Sequence, residues 1–273
     1  MDQLILAASE CDVANEVVCT PTNVLELFEF GGIDFIGGQS RTIVLIYLAA
    51  LIAIGIVYFG LRKPKLVPGR FQAAVESLMT VVSDGIGKDV IGPEGVKYVP
   101  YLLALFFFIL IGNMFELTPF VNFPVTSQMA IPGLLAITTW FIFVGVGLRK
   151  QGLGYFGHLI WPPGVPLLLK PLVGLIEFVS TIFIRPFSLA VRLFANLVAG
   201  HVMLALLLGT GGVFFLGLLD GDIGIVRALF PGALWFILGL GIFLFELLVA
   251  VLQAYIFTLL SAVYIETSLH PEH

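Results

Sequence analysis

Predominantly apolar stretches recur along this sequence of 273 residues, and they constrain its fold more than any other feature. Residues 42–61, 98–117 and 131–148 each have about the length that an α-helix needs to cross the ~30 Å hydrocarbon core of a bilayer. With 59% hydrophobic and 11% charged residues, the chain has too few charges to cover a water-soluble domain of this size. The sequence therefore predicts an all-α polytopic membrane protein, because a helix satisfies its own backbone hydrogen bonds in lipid.

The last third of the chain contains two apolar stretches that exceed a simple membrane span. At 1.5 Å per residue, helices over residues 171–208 and 232–266 would be about 57 Å and about 52 Å long, so both must tilt, bend or protrude. Pro186 is the predicted bend point. Residues 209–230 are interpreted as the external linker, so the region 171–266 is predicted to form a long, steeply tilted hairpin.

Charge distribution predicts the topology. The segment 1–41 is acidic, with seven acids and no base before residue 41, and is placed outside the membrane. Nine of the thirteen Lys and Arg residues fall on the opposite side if the chain crosses five times, as the positive-inside rule requires of the cytoplasmic side. Residues 42–273 are then a single membrane domain, in which 71–90 alternate as an interfacial amphipathic helix does. The bases assigned to the inner side are Arg62, Lys63, Lys65, Arg70, Lys88, Lys97, Arg149, Lys150 and Lys170.

Some function classes have little support in the sequence. There is no basic stripe to indicate nucleic-acid binding. No metal-ligand spacing and no cofactor motif stands out, so neither a metal nor a cofactor is expected. Cys11 and Cys19 could pair if their segment is exported, and this stays open.

Arg192 is the most informative single residue, because it lies deep in an apolar stretch. A central arginine costs roughly 2.5–3.5 kcal/mol on insertion scales, so something must offset it. One alternative is a structural ion pair with an acid on a neighbouring helix. The other is a fixed charge beside an ion path, since arginine does not release its proton at biological pH.

Other polar groups follow in the same hairpin. Asn196 is one helical turn from Arg192, whereas His201 is nine residues on and faces the opposite side at 100° per residue. His201 and Glu246 are a natural titrating pair, although a packing histidine is the simpler interpretation of His201 alone. Gln253, seven residues after Glu246 on the same face, could belong to the proton path or simply form an interhelical hydrogen bond.

The motif at residues 188–201, SLAVRLFANLVAGH, closely resembles the signature of subunit a of F-type ATP synthases. Residues 246–257, ELLVAVLQAYIF, look like the last helix of that family, and residues 113–119 and 124–127 add weaker support. The resemblance extends over nearly the whole chain after residue 24.

This resemblance implies a non-catalytic stator subunit that holds two offset half-channels against a rotating ring of c subunits. Arg192 would face the rotor carboxylate, with Asn196 and Gln253 nearby. His201 and Glu246 would belong to the outer half-channel; some family members carry the acid first and the histidine second, so the order here is reversed.

By the same resemblance, Glu177 is a candidate for the inner half-channel, and Glu116 lies either at the entrance or among the lipid headgroups. The implied partners are the c ring, b-type peripheral stalk subunits, the lipid bilayer and protons. The implied location is the cell (inner) membrane, with a mitochondrial inner membrane as the alternative. The N-terminus would be outside and the C-terminus cytoplasmic.

Three other function classes compete with this reading. A secondary transporter would show inverted repeats or paired broken helices, and none is visible. An intramembrane hydrolase would need a nucleophile with a base in reach, and no such motif stands out. A purely structural subunit leaves the buried charges unexplained.

Overall fold

The computed structural model describes residues 41–62, 68–118, 129–152, 154–161, 166, 168–220 and 224–270. Within these ranges the regular structure is entirely helical, with no strand. The acidic segment before residue 41, including Cys11 and Cys19, lies outside the described residues.

Eight α-helices account for most of the described chain. A π-helical turn, Ser83–Lys88, follows the helix Arg70–Val82, and a second one, Ser180–Ile184, joins the helices Lys170–Val179 and Arg185–Asp220. A short 3-10 helix, Pro93–Lys97, precedes the helix Val99–Leu117. The α-helices are α1 Arg41–Leu61, α2 Arg70–Val82, α3 Val99–Leu117, α4 Ala130–Gln151, α5 Gly154–Ile160, α6 Lys170–Val179, α7 Arg185–Asp220 and α8 Ile225–Leu269.

Helices long enough to cross a membrane lie where the apolar stretches predicted them. Four helical stretches of the described chain are long and apolar enough to span a bilayer: α1, α4, the continuous run 170–218 and most of α8. Helix α3 is a fifth apolar helix, with a shorter apolar stretch than the other four. The prediction of an all-α polytopic membrane protein is confirmed.

The predicted linker over residues 209–230 is wrong in extent. Helix α7 continues to Asp220 and α8 already begins at Ile225. Two glycines of these helices lie where α7 and α8 pack closely. A Cβ on Gly211 would lie 3.1 Å from the backbone nitrogen of Phe236, and one on Gly239 would lie 2.5 Å from a methyl carbon of Leu208. Glycine at these positions allows α7 and α8 to approach closely.

The helix is irregular just before Pro186, the predicted bend point. Proline has no N–H to donate to the carbonyl of residue 182, and its ring crowds that carbonyl. The π-helical turn at Ser180–Ile184 lies directly upstream and accommodates one extra residue. One extra residue rotates the following face by about 100°, so Glu177 and Arg192 cannot be related by regular α-helical spacing.

The described residues form two compact units. The first comprises 41–49, 111–118, 195–220 and 224–252, and the second comprises the remaining described residues up to 270. The prediction of a single membrane domain over 42–273 stays a prediction. In the first unit, Leu117, Leu204 and Ala250 form a buried apolar cluster, and Phe214 packs with Trp235 in another.

Polar and aromatic contacts hold the helices of the second unit together. The Tyr101 and Thr139 hydroxyls are 2.7 Å apart, which joins α3 to α4. The rings of Phe143 and Tyr264 are 5.7 Å apart, which packs α4 against α8. Gln151 Nε2 donates to the carbonyl of Ser268 at 3.3 Å, so the end of α8 is also held to the end of α4.

Candidate functional site

Arg192 and Gln253 meet in the second unit. The Gln253 side chain, 7% exposed on α8, donates from Nε2 to the backbone carbonyl of Arg192 at 3.0 Å. A carbonyl oxygen has two lone pairs, so it can accept this bond in addition to a helical one. Gln253 therefore holds the α7 backbone at Arg192. This bond is the interhelical hydrogen bond that the sequence suggested as one role of Gln253.

The Arg192 side chain is exposed, although its neighbours Leu189 and Leu193 are buried. Among the described residues, its guanidinium makes no ion pair or hydrogen bond. The alternative of a structural pair with an acid on a neighbouring helix thus has no support in this part of the chain. A charge exposed on an apolar helix is costly in lipid unless an opposite charge or water reaches it.

A second polar group lies in the first unit, around Glu246 of α8. Glu246 is 8% exposed and His201 is 4% exposed, so both are buried among apolar side chains. A Cβ added to Gly200 would lie 2.5 Å from the carboxyl carbon of Glu246 and 2.6 Å from its Oε1. The carboxylate therefore rests directly on the backbone of α7, beside His201.

Sequence reasoning missed Gly200. A glycine costs about 1 kcal/mol relative to alanine within a helix, so its presence in the middle of an apolar helical pattern was the available signal for a close approach. Asn196, on the same helix, is partly exposed.

Asn113 is a further buried polar residue of the first unit, and sequence reasoning treated it only as part of a motif. Its side chain is fully buried, and Nδ2 donates to the Ala250 carbonyl at 3.3 Å. This bond attaches α3 to α8 one turn after Glu246. Asn113 thereby fixes the segment of α8 that presents the carboxylate.

Glu177 and Glu116 are the remaining predicted site residues, and a further arginine, Arg185, contacts α8. Glu177 is partly exposed in the last turn of α6. The side chain of Glu116 lies outside the described residues. Arg185 has partners on α8: its Cζ is 5.3 Å from the centroid of the Tyr264 ring, and Nη1 donates to Thr267 Oγ1 at 3.4 Å. These contacts hold the start of α7 to the end of α8.

Comparison with known proteins gives a consistent result. The profile of the family described as ATP synthase A chain matches residues 42–266. ATP synthase subunit a of Parafrankia sp. strain EAN1pec is 42% identical over 240 residues, covering 87% of this chain and 78% of the relative. ATP synthase subunit a of Granulibacter bethesdensis is 39% identical over 244 residues, covering 88% and 92%. The protein of the same name from Frankia alni is 39% identical over 238 residues, covering 86% and 79%.

The family match spans the five apolar helices and includes Arg192, Glu246 and Gln253. The chain therefore belongs to the ATP synthase A chain family, as a multi-pass cell-membrane protein of the membrane sector of the F-type ATP synthase.

Proposed function

We propose that the chain is the stator subunit that conducts protons through two offset half-channels against a rotating c ring. The observation that carries the proposal is Arg192: a permanent charge, exposed on an apolar helix, held at its backbone by Gln253 and without an internal counter-charge in the described chain. A rotor carboxylate is the partner that would complete this charge.

Arg192 acts as a fixed charge, since its guanidinium does not release a proton at biological pH. It draws an ionised rotor carboxylate toward itself and repels a hydronium ion, so protons cannot pass directly between the half-channels. A rotor site must instead take up a proton, become neutral, enter the lipid and lose the proton on the other side. The membrane potential contributes about 2.3 kcal/mol per charge per 100 mV.

The outer half-channel is assigned to His201 and Glu246. Both are buried and both exchange protons, which a path through apolar packing requires. Their support comes from the contact between Glu246 and Gly200, which brings the carboxylate to the α7 backbone next to His201. Asn196 and Gln253 also belong to the proton path in this proposal, and Glu116 is the possible entrance.

The inner half-channel is assigned to Glu177, which is partly exposed in α6. The proposed orientation has the N-terminus outside and the C-terminus in the cytoplasm, in line with the bases assigned to the inner side. Besides the c ring, the partners are the b-type peripheral stalk subunits. In this role the chain conducts ions and catalyses no reaction of its own.

The experiment is passive proton flux through membranes that carry the assembled complex stripped of its catalytic sector. His201→Ala and Glu246→Ala should each lower the flux, and the double variant should lower it most. Thr258→Val is the matched control, because the buried Thr258 hydroxyl bonds only the Ala254 carbonyl of its own helix at 2.8 Å. Normal flux in the double variant would refute the outer half-channel.

An exchanged pair tests whether His201 and Glu246 act together. The variant His201→Glu with Glu246→His keeps one histidine and one carboxylate and restores the order found in some family members. Its flux should exceed that of either single substitution. If the exchanged variant conducts no better than the single variants, the two residues do not form a functional pair.

A further inference from the structure

An apolar groove runs between α1 and α3 in the second unit. Its volume is about 930 Å³. Helix α1 contributes side chains from Ala50 to Leu61, Arg62 follows directly after the helix, α3 contributes side chains from Pro100 to Phe108, and α4 contributes Leu135. Apart from Arg62 at one end, the lining is almost wholly apolar or aromatic.

Small side chains on both walls make the groove deep. Ala53 lies on α1 and Ala104 on α3, where larger apolar residues would fill the space between the helices. Ile54 is 66% exposed and Tyr58 is 55% exposed, so the groove opens to the outside of the unit along its length. Its shape and chemistry suit a long, flexible apolar chain.

Arg62 marks the end of the groove with a positive charge. Its side chain is exposed, and its Cζ lies 5.7 Å from the centroid of the Tyr58 ring. No carboxylate of the described residues forms an ion pair with it. Lys63 and Lys65 follow in the sequence, so the local charge is strongly positive.

A smaller cavity of about 360 Å³ shares Arg62 with the groove. It is also lined by Gln72 of α2, whose amide donates to Glu76 at 2.6 Å. Arg62 is therefore the cationic group common to a polar cavity and an apolar groove. An arginine can donate two parallel N–H groups to a phosphate, and the apolar walls of the groove would hold the acyl chain of a phospholipid.

We propose that this groove binds an anionic phospholipid, with an acyl chain between α1 and α3 and the headgroup phosphate at Arg62. Basic pockets between membrane helices on the cytoplasmic side commonly bind anionic headgroups, and this is the side to which Arg62 is assigned. A transmembrane helix of another subunit would fit the apolar walls, but it would have to bring an acid to Arg62. The inference is independent of the proposed proton path.

The test uses the complete ATP synthase in phosphatidylcholine vesicles that contain a small fraction of phosphatidylglycerol with a photoactivatable acyl chain. Labelling should map to peptides that contain residues 50–62 and 100–108. Arg62→Gln should lower the labelling about fivefold, as expected for one basic residue at a membrane surface. Arg149→Gln, which removes an exposed inner-side arginine outside the groove, should leave it unchanged.

A second variant blocks the groove without touching its charge. Ala104 is exposed on the groove wall, so Ala104→Phe should fill the groove and reduce labelling at least as strongly. Leu134→Phe, at a 61% exposed position outside the groove, is its control. Because one substitution removes a charge and the other fills apolar space, a folding defect in one leaves the other as a test.

Three results would overturn the proposal. The first is equal labelling by photoactivatable phosphatidylcholine, which would remove the role of the anionic headgroup. The second is loss of labelling on addition of inorganic phosphate, which would assign Arg62 to a free anion. The third is cross-linking of the groove to a helix of another subunit in the intact complex, which would make it a protein interface.

Discussion

Replacing Gln253 with leucine tests whether the backbone of Arg192 needs an external hydrogen bond. Leucine is similar in size and apolar, so Gln253→Leu removes the 3.0 Å bond to the Arg192 carbonyl without leaving a buried polar side chain. The carbonyl keeps its place in the helix, and the net loss should be that of one neutral hydrogen bond, about 1 kcal/mol. This changes the ratio of correctly placed to displaced arginine about fivefold.

The assay is passive proton flux in stripped vesicles, normalised to the amount of this subunit in the membrane. Gln253→Leu should assemble normally and conduct less than the wild type, by at most about fivefold. Gln253→Glu should be more damaging, because a carboxylate cannot donate to the Arg192 carbonyl and competes with the rotor carboxylate for the guanidinium.

The matched control for this series is Ser261→Ala. Ser261 is also buried on α8, but its hydroxyl bonds only the Phe257 carbonyl of its own helix at 2.8 Å. Its flux should stay near that of the wild type. Wild-type flux in Gln253→Leu at equal assembly would refute the claim that this bond positions Arg192.

Two further substitutions test contacts that the structure defines. Gly200→Ala should lower proton flux while preserving assembly, because the new Cβ displaces the flexible Glu246 carboxylate. Gly212→Ala is the control and should leave the flux unchanged, because a Cβ there meets no neighbour within 4 Å. Equal flux in the two variants would contradict the contact between Gly200 and Glu246. Arg185→Lys should weaken assembly by about 0.5–1 kcal/mol by losing the contact between the guanidinium and the Tyr264 ring, as measured by detergent stability of the complex. Tyr264→Phe keeps the ring and should be tolerated; if it is as damaging as Tyr264→Leu, the ring contact is not the cause.

The positions of the membrane helices could be predicted because lipid imposes a simple rule. A helix must stay apolar for about twenty residues, and the predicted stretch 42–61 ends at the same residue as α1. Residue types predicted the ends of the helices less well. Gly211 lies in the stretch interpreted as a linker, yet α7 runs through it, and a Cβ at this position would lie 3.1 Å from the backbone nitrogen of Phe236 on α8.

The candidate site was predictable in its residue types and less so in its contacts. An arginine or a glutamate within an apolar stretch can be recognised as functional from the sequence, because placing a charge in lipid costs free energy. The approach of Glu246 to Gly200 depends on how α7 and α8 pack, and the bond from Asn113 to Ala250 joins residues far apart in the chain. The π-helical turn at Ser180–Ile184 leaves no periodic pattern in the sequence. The face on which Glu177 lies relative to Arg192 could therefore not be predicted from helical spacing.

The most direct test of the central claim is ATP synthesis driven by a proton gradient in membranes that carry the assembled complex with Arg192→Ala. Because a fixed charge between the half-channels is then missing, we expect no coupled synthesis, with the subunit present at its normal level. Arg149→Gln, which removes a different exposed arginine, should synthesise ATP normally. Normal synthesis in Arg192→Ala would contradict the account.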